Sequence, residues 1–189
     1  GAHRSHGHLL ALGSDVKKFF AEILGREGGH SKGMGGSMHM IDKSVGFYGA
    51  VPIVSGTISL GVGAAISIKI QGGENVALVY FGDGACEEGV LHESLNLSSL
   101  MNLPVIFVVE NNLFSSHMDI ASRQTKDSTS RFALAHDIPY KIVDGNDVLS
   151  VIRESSDLIN NARIKKKPGF IEAITYRQYG HVDWRRDID

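Results

Sequence analysis

Two polar clusters follow the two most apolar stretches of the sequence. Gly82-Asp83-Gly84 comes directly after the run at 76–81, and Asn111-Asn112 comes directly after the run at 105–110. A carboxylate oxygen from Asp83 and an amide oxygen from Asn112 are hard ligands of the kind that Mg²⁺ takes, commonly together with phosphate oxygens. The flanking glycines let backbone N–H groups approach a phosphate. The residue types therefore predict a site for Mg²⁺ and a phosphate group.

A strand, a helix and a second strand are predicted to place the two clusters side by side. Residues 76–81 and 105–110 have the composition of buried strands, and a helix at about 88–101 connects them. A strand–helix–strand unit with short links is a parallel crossover, in which neighbouring strands lie about 4.8 Å apart. Ligands of parallel α/β sheets bind outside the carboxyl ends of the strands. Both clusters are expected at that edge.

The alternation of strands and helices continues along the chain. Further helices are predicted after Ser14-Asp15 up to Gly25 and at 55–71, 131–136 and 148–162, and further strands at 140–143 and 169–176. The segments 1–13 and 28–36 are predicted to be irregular. This pattern predicts an α/β fold with a doubly wound, mostly parallel sheet, in a single domain over 1–189.

Each cluster alone has a simpler interpretation. Gly-Asp-Gly is a common turn, and Asn-Asn after a strand is often only a loop. Their spacing makes the pair specific, because residues 85–110 between them supply one complete helix and strand.

This arrangement resembles the signature of thiamine-diphosphate enzymes, which is Gly-Asp-Gly, a separation in the mid-twenties and Asn-Asn. Further blocks are similar to the alpha subunits of pyruvate, branched-chain 2-oxo acid and acetoin dehydrogenases. They are Gly-Gly-Ser-Met-His at 35–39, Glu-Gly at 88–89, Asn96, Leu-Pro at 103–104, Val-Asp-Gly-Asn-Asp at 143–147, Thr-Tyr-Arg at 175–177 and Gly-His at 180–181. The resemblance covers nearly the whole chain. It implies the thiamine-diphosphate-binding fold with thiamine diphosphate and Mg²⁺ as cofactors.

The resemblance also implies roles for residues at the two clusters. Asp83, the side chain of Asn112 and the main-chain carbonyl of Phe114 would bind Mg²⁺. The family often has Tyr where Phe114 stands, and a backbone ligand tolerates that change. Gly84 and Ala85 would touch the diphosphate.

Other implied site residues lie near the ends of the chain. Arg4 matches an arginine that pairs with the diphosphate, His3 stands where a cofactor-contacting Tyr is common, and Val54 aligns with an apolar residue that contacts the cofactor ring. His6 and His181 are the implied catalytic residues, and His181 would also contact the cofactor near the reacting carbon. Outside this motif context, both histidines would be better explained as ordinary polar or core residues.

A zinc site at the histidine-rich start of the chain is the alternative to these roles. His3, His6 and His8 alternate in a glycine-rich segment without cysteine. This is weak support for zinc, and we reject that interpretation.

The resemblance implies that the chain works with a partner. In the family, a glutamate of the beta subunit activates the cofactor, and no residue here can be assigned to that role. We therefore expect a beta subunit in an α₂β₂ heterotetramer, with the stretch 28–40 as a candidate interface. The expected activity is oxidative decarboxylation of a small 2-oxo acid, with the acyl group passed to a lipoyl-bearing acyltransferase.

The substrate and the control of the enzyme depend on loops that differ from the family. The loop at 113–130 departs from the better-known members, so pyruvate is only the default substrate. Val182 and Asp183 follow His181 where eukaryotic members carry a phosphorylated serine. Kinase control at that position is not expected.

The composition excludes several classes of protein. The net charge of −2 argues against a nucleic-acid surface, and no run approaches the roughly 20 apolar residues of a membrane span. Cys86 is the only cysteine, which is typical of a reducing compartment, here the cytoplasm or an organelle matrix. The sequence stops without an obvious end to the fold, so we expect a longer natural protein.

Three other functions share parts of the pattern. The nearest are the diphosphate-binding subunit of a split transketolase and a non-oxidative 2-oxo acid decarboxylase. The blocks at 35–39 and 176–181 favour the dehydrogenase type over the transketolase. A non-catalytic relative is the third alternative, and the intact Asp83 and Asn112 speak against it.

Overall fold

A computed structural model of the chain describes Ala2 and residues 4–182. The chain divides into two compact units, Gly1–Thr57 and Ile58–Asp189. The predicted α/β class is confirmed in the second unit, which contains the parallel sheet. The prediction of a single domain stays a prediction.

The first unit is built from two short helices and turns. They are α1 (His6–Ala11), α2 (Val16–Ile23) and a 3₁₀ turn at Lys43–Val45. Its core is formed by the buried side chains of Leu9, Phe19, Met40, Phe47 and Ala50. The prediction that 1–13 is irregular was wrong, because α1 forms there. A six-residue helix with one buried side chain, Leu9, is too short to show a helical period in sequence.

Helix α2 begins and ends as its sequence predicts. The Asp15 carboxylate accepts hydrogen bonds from the backbone N–H groups of Lys17 and Lys18, at 2.7 and 3.0 Å. These donors would otherwise lack partners at the start of the helix. Gly25 adopts a φ of +65°, the left-handed conformation that often follows a helix.

The glycine-rich loop after α2 folds around one buried carboxylate. Glu22 accepts hydrogen bonds from the backbone N–H groups of Ser31, Gly33 and Gly35, at 2.7, 3.1 and 2.6 Å. A Cβ on Gly35 would lie 2.6 Å from the carbonyl oxygen of His39. The glycines therefore let the loop close tightly around Glu22, which confirms the predicted loop and explains its composition.

The second unit contains a four-stranded parallel sheet in the order β1-β2-β6-β5. The strands are β1 (Ala77–Gly82), β2 (Val105–Asn111), β5 (Tyr140–Asp144) and β6 (Gly169–Ile174). The helices are α3 (Gly56–Gln71), which begins at the end of the first unit, α4 (Gly89–Met101), α5 (Ser130–Leu134) and α6 (Val148–Lys165). Each predicted strand and helix is present, with bounds that differ by a few residues.

Helices cover both faces of this sheet. One cluster of buried side chains joins α3, α4 and α5 to one face, where Val79, Phe107 and Phe170 belong to the strands. A second cluster joins α6 to the opposite face through Leu158 and Ala162. Burial on both faces explains why the central strands have nearly continuous apolar sequences. The doubly wound arrangement is as predicted.

A small hairpin after β2 was not predicted. Its strands are β3 (Phe114–Ser115) and β4 (Met118–Asp119), paired antiparallel. Ser116, between the strands, adopts a left-handed φ of 52°. Two-residue strands carry no readable alternation of polar and apolar residues, so only the structure reveals them.

Candidate active site

The two polar clusters lie at the same edge of the sheet. The register of the parallel pair aligns Gly82 at the end of β1 with Glu110 of β2, one residue before Asn111. A 3₁₀ turn at Asp83–Glu87 leaves β1 and contacts β3. The two clusters therefore lie at one edge of the sheet, as their spacing predicts, and the carboxyl end of β1 also packs against the hairpin that follows β2.

Asp83 is buried and only half paired. Its side chain is 1 % exposed, and its Oδ2 accepts a hydrogen bond from Nη2 of Arg123 at 2.6 Å. Its Oδ1 is buried without a hydrogen-bond partner among the described residues. A buried carboxylate oxygen without a donor is costly and therefore rare in folded proteins. This oxygen is suited to a cation.

Asn112 lies in a tight turn at the end of β2. Its Oδ1 accepts a hydrogen bond from the backbone N–H of Phe114 at 3.0 Å, and Leu113 between them has a left-handed φ of 69°. An amide oxygen has two lone pairs, so Oδ1 can accept this bond and still bind a cation. The turn thereby fixes the relative positions of the side chain of Asn112 and the backbone of Phe114.

Gly84 and Ala85 follow Asp83 in the 3₁₀ turn, where Ala85 is buried. A Cβ on Gly84 would lie 2.4 Å from Oγ and 2.7 Å from Cβ of Ser115. The missing side chain is thus required for packing against the hairpin. Sequence reasoning had assigned this glycine only to the approach of a phosphate.

The donor set corresponds to Mg²⁺ better than to zinc. The described residues contain no group of three or more His, Cys, Asp or Glu side chains that could hold a metal. One carboxylate, one amide oxygen and one backbone carbonyl are hard ligands that leave room for phosphate oxygens, as Mg²⁺ prefers. The buried Oδ1 of Asp83 and the chemistry of these groups are suited to Mg²⁺, and the three ligands stay a prediction.

The structure brings His181 to the same hairpin. The rings of His181 and His117 meet edge to face, with centroids 6.3 Å apart. Arg177 donates a hydrogen bond from Nη2 to the carbonyl of Ser116 at 2.6 Å, and its guanidinium lies 5.4 Å from the centre of the Phe114 ring. His117 had no predicted role, and only its contact with His181 places it near the candidate site.

The other predicted site residues belong to the first unit. Arg4 is exposed and precedes α1. His6 shares a hydrogen bond of 2.8 Å between its Nε2 and Oγ of Ser37, within the Gly-Gly-Ser-Met-His block. Val54 is 54 % exposed in the turn before α3. His3 lies outside the described residues.

Sequence reasoning missed a buried glutamate that supports the Asn-Asn turn through hydrogen bonds. Glu172 on β6 is 0 % exposed. Its carboxylate accepts hydrogen bonds from Nδ2 of Asn111, the backbone N–H groups of Thr129 and Ser130, and Oγ of Ser128, at 2.8 to 2.9 Å. Asn111 in turn accepts a hydrogen bond from the backbone N–H of Leu113 at 3.1 Å. Glu172 therefore ties the Asn-Asn turn to the segment before α5.

These donors keep Glu172 ionised. Burial by itself would raise the pKa of Glu172, but the hydrogen bonds from Thr129, Asn111 and Ser130 together lower it below its ordinary value. Hydrogen bonds to the charged form of a carboxyl group favour that form. The negative charge of Glu172 is thus stabilised by the same hydrogen bonds that hold the turn in place.

The same edge of the sheet carries an open pocket of about 520 Å³. It is lined at the carboxyl ends of β5 and β6 by Ile142, Val143, Asp144, Asn146, Ile174, Thr175 and Tyr176. It contains none of the predicted site residues, most of which lie at the ends of β1 and β2 or in the first unit.

Among the described residues, no helix combines the length and the apolar character needed to cross a membrane.

Comparison with known proteins gives a consistent match. Residues 1–184 match the family described as Dehydrogenase E1 component. The chain is 42 % identical over 181 residues to the alpha subunit of an acetoin:2,6-dichlorophenolindophenol oxidoreductase from Bacillus subtilis, covering 96 % of this chain and 54 % of that protein. It is 41 % identical over 179 residues to the alpha subunit of the pyruvate dehydrogenase E1 component from Rhizobium meliloti, covering 95 % and 51 %.

A human relative extends the comparison to mitochondria. The testis-specific alpha subunit of the pyruvate dehydrogenase E1 component is 38 % identical over 180 residues, covering 95 % of this chain and 45 % of that protein. The chain thus spans about half the length of the relatives it matches.

Proposed function

Because the chain belongs to the Dehydrogenase E1 component family, we propose that it is the part of an alpha subunit that binds the diphosphate and Mg²⁺ of thiamine diphosphate. The enzyme would oxidatively decarboxylate a small 2-oxo acid, or oxidise acetoin, in a reducing compartment such as the cytoplasm or an organelle matrix. The observation that carries this proposal is the buried Oδ1 of Asp83, which has no hydrogen-bond partner among the described residues and lies at the edge of the sheet where ligands bind.

The residues of this chain would bind and orient the cofactor. Asp83, Asn112 and the carbonyl of Phe114 would supply three oxygen ligands to Mg²⁺, which would link the protein to the diphosphate. Gly84 and Ala85 would contact the diphosphate from the 3₁₀ turn. When bound, thiamine diphosphate supplies the chemistry by holding the electrons that remain when carbon dioxide leaves.

Residues outside the turn would complete the site. His181 is proposed to act near the reacting carbon, and its contact with His117 supports a place beside the hairpin. His6 is proposed as a second catalytic residue. Arg4, His3 and Val54 are proposed to contact the cofactor, as their match to the family implies.

The proposal includes a partner chain. The relatives are named as alpha subunits, and no residue of this chain can be assigned as the activating glutamate. We propose that a beta subunit supplies it in an α₂β₂ heterotetramer. A lipoyl-bearing acyltransferase is the proposed acceptor of the acyl group.

Two substrates have nearly equal support. The identities to the acetoin and pyruvate enzymes are 42 % and 41 %. Both compounds therefore belong in the assay.

The test is the binding of thiamine diphosphate to the complete natural chain, purified with its partner, at increasing Mg²⁺ concentration. The Asp83→Asn variant keeps the shape of the side chain and an acceptor for Arg123 but loses the charge. We expect it to lose Mg²⁺-dependent binding of thiamine diphosphate while its circular dichroism stays unchanged. Asp157→Asn, which removes an exposed carboxylate on α6, is the matched control and should bind as the wild type. Unchanged cofactor affinity in folded Asp83→Asn would refute the metal assignment.

A further inference from the structure

Arg123 is a nearly buried cation beside the proposed metal ligand. Its side chain is 6 % exposed and forms ion pairs with Asp83 and Glu87. Its Nε donates a hydrogen bond to the carbonyl oxygen of Met118 at 3.1 Å. The planar guanidinium group is therefore held on three sides, and it acts as a rigid fork rather than as a mobile point charge.

Arg123 donates a hydrogen bond to one of the two carboxylate oxygens of Asp83. Arg123 donates to Oδ2 at 2.6 Å, whereas Oδ1 has no hydrogen-bond partner among the described residues. Oδ2 of Asp83 thus faces the positive charge of Arg123, which disfavours a cation at that oxygen. Oδ1 is the carboxylate oxygen that is better suited to a cation.

The turn that carries Asp83 is held by the next residue of the same loop. Nε2 of Gln124 donates to the backbone carbonyl of Asp83 at 3.2 Å and to Oε1 of Glu87 at 3.0 Å. Arg131 donates from Nη2 to Oε1 of Gln124 at 3.0 Å and from Nε to the carbonyl of Ser128 at 3.1 Å. Since Ser128 also binds the buried Glu172, this loop is tied to the sheet.

The charges of this group still favour a cation. Arg123 contributes one positive charge, and Asp83 with Glu87 contributes two negative charges. Glu87 thus offsets the guanidinium, and the net charge of −1 beside the orphaned oxygen attracts a divalent ion.

We propose that Arg123 is a positioning residue that holds Asp83 as a one-oxygen ligand and thereby makes the site selective for Mg²⁺ over Ca²⁺. This inference rests on the proposed function, since it concerns the ion that would carry the diphosphate. Mg²⁺ requires near-ideal octahedral geometry with short bonds, whereas Ca²⁺ accepts six to eight oxygens and binds carboxylates through one or both oxygens. A carboxylate free to rotate would therefore favour the larger ion.

The test uses the complete natural chain with its partner and with saturating thiamine diphosphate. Dissociation constants of Mg²⁺ and Ca²⁺ are measured by displacement of Mn²⁺, followed by electron paramagnetic resonance. Arg123→Met keeps the length of the side chain but removes the donors. We expect its Mg²⁺ affinity to fall about 10- to 100-fold, the usual effect of losing a group that orients a metal ligand. Ca²⁺ affinity should fall much less, so the preference for Mg²⁺ should narrow.

Two further variants separate this effect from a loss of folding. Arg123→Lys keeps the charge without the fork, and we expect an intermediate Mg²⁺ affinity with a reduced preference for Mg²⁺. If Arg123→Met unfolds, Arg123→Lys carries the test. Arg153→Met changes an exposed arginine on α6 and should leave both constants unchanged.

Three results would overturn the inference. Equal losses of Mg²⁺ and Ca²⁺ affinity would show only general loosening, unchanged constants would show no role, and tighter Mg²⁺ binding would show that Arg123 competes with the ion. If folded Asp83→Asn binds Mg²⁺ as tightly as the wild type, the proposed function is refuted, and this inference with it.

Discussion

At the scale of single residues, Gly84 offers a sharp test of the packing at the site. A Cβ at this position would lie within 2.7 Å of both Oγ and Cβ of Ser115. We expect Gly84→Ala to push the 3₁₀ turn away from the hairpin, at a cost of about 1–3 kcal/mol in the free energy of unfolding. Urea unfolding measures this cost, and thiamine diphosphate binding should weaken in parallel.

A neighbouring glycine and a second substitution control this prediction. A Cβ on Gly89, at the start of α4, would meet no atom within 4 Å. Gly89→Ala should therefore be neutral or stabilise by about 0.5–1 kcal/mol. Ser115→Gly removes both atoms that clash and should restore much of the stability lost in Gly84→Ala. No rescue would show that the clash is not the cause.

The sequence identifies Asp83 and Asn112 as proposed ion ligands, but it does not identify the residues that support them. Asp83 and Asn112 stand directly after apolar strands, and that position identifies them. Arg123 lies 40 residues beyond Asp83, and Glu172 lies 61 residues beyond Asn111. Only the folded chain brings these pairs together, and nothing in the local sequence marks either residue.

At the scale of secondary-structure elements, Glu172 joins β6, the turn after β2 and the segment before α5. Glu172→Gln would keep the shape but place an amide N–H₂ where the carboxylate now accepts hydrogen bonds from Thr129, Ser130 and Asn111. We expect a loss of about 2–3 kcal/mol in the free energy of unfolding, measured by urea denaturation.

The matched control is a partly exposed glutamate with a partner. Glu154 pairs with Lys141 at the surface, and such pairs contribute about 0–1 kcal/mol. Glu154→Gln should change the free energy of unfolding by less than about 1 kcal/mol. Equal effects of the two substitutions would contradict the structural role of Glu172.

The hydrogen bonds between the glycine-rich loop and Glu22 should make the stability of the protein depend on pH in the acid range. Burial by itself would raise the pKa of Glu22, but the N–H groups of Ser31, Gly35 and Gly33 together lower it below the ordinary 4.5. A carboxyl group whose folded pKa is depressed contributes stability above its unfolded pKa, and this contribution is lost as the pH falls through the folded pKa. The melting temperature of the wild type should therefore drop below about pH 4.5.

The Glu22→Gln variant isolates that contribution. It should melt at a lower temperature near neutral pH and lose less stability on acidification than the wild type. Glu27→Gln changes an exposed glutamate near the same loop and should keep the acid dependence of the wild type. An acid dependence that is unchanged in Glu22→Gln would contradict the assignment.

The elements could be predicted wherever burial leaves a long apolar run. The strands β1 and β2 are apolar because helices cover both faces of the sheet. Helix α1 and the hairpin of β3 and β4 escaped prediction because they are short and are positioned by tertiary contacts. The hairpin carries Phe114 and His117, so an element that escaped prediction contributes one of the proposed metal ligands.

At the scale of the whole molecule, the central claim is an activity that this chain shares with a partner. The chain covers about half the length of its relatives, which are themselves alpha subunits. Its own residues are proposed to bind the metal and the diphosphate. The activating glutamate is expected from the beta subunit.

The most direct measurement is turnover by the complete natural protein, purified with its partner, with and without thiamine diphosphate and Mg²⁺. A panel of 2-oxo acids and acetoin would be offered with an artificial electron acceptor, and both reduction of the acceptor and release of carbon dioxide from the acids would be followed. We predict turnover of at least one compound that requires both cofactors and is lost in Asp83→Asn. Turnover that does not require thiamine diphosphate, or no turnover of any compound with the partner present, would contradict the account.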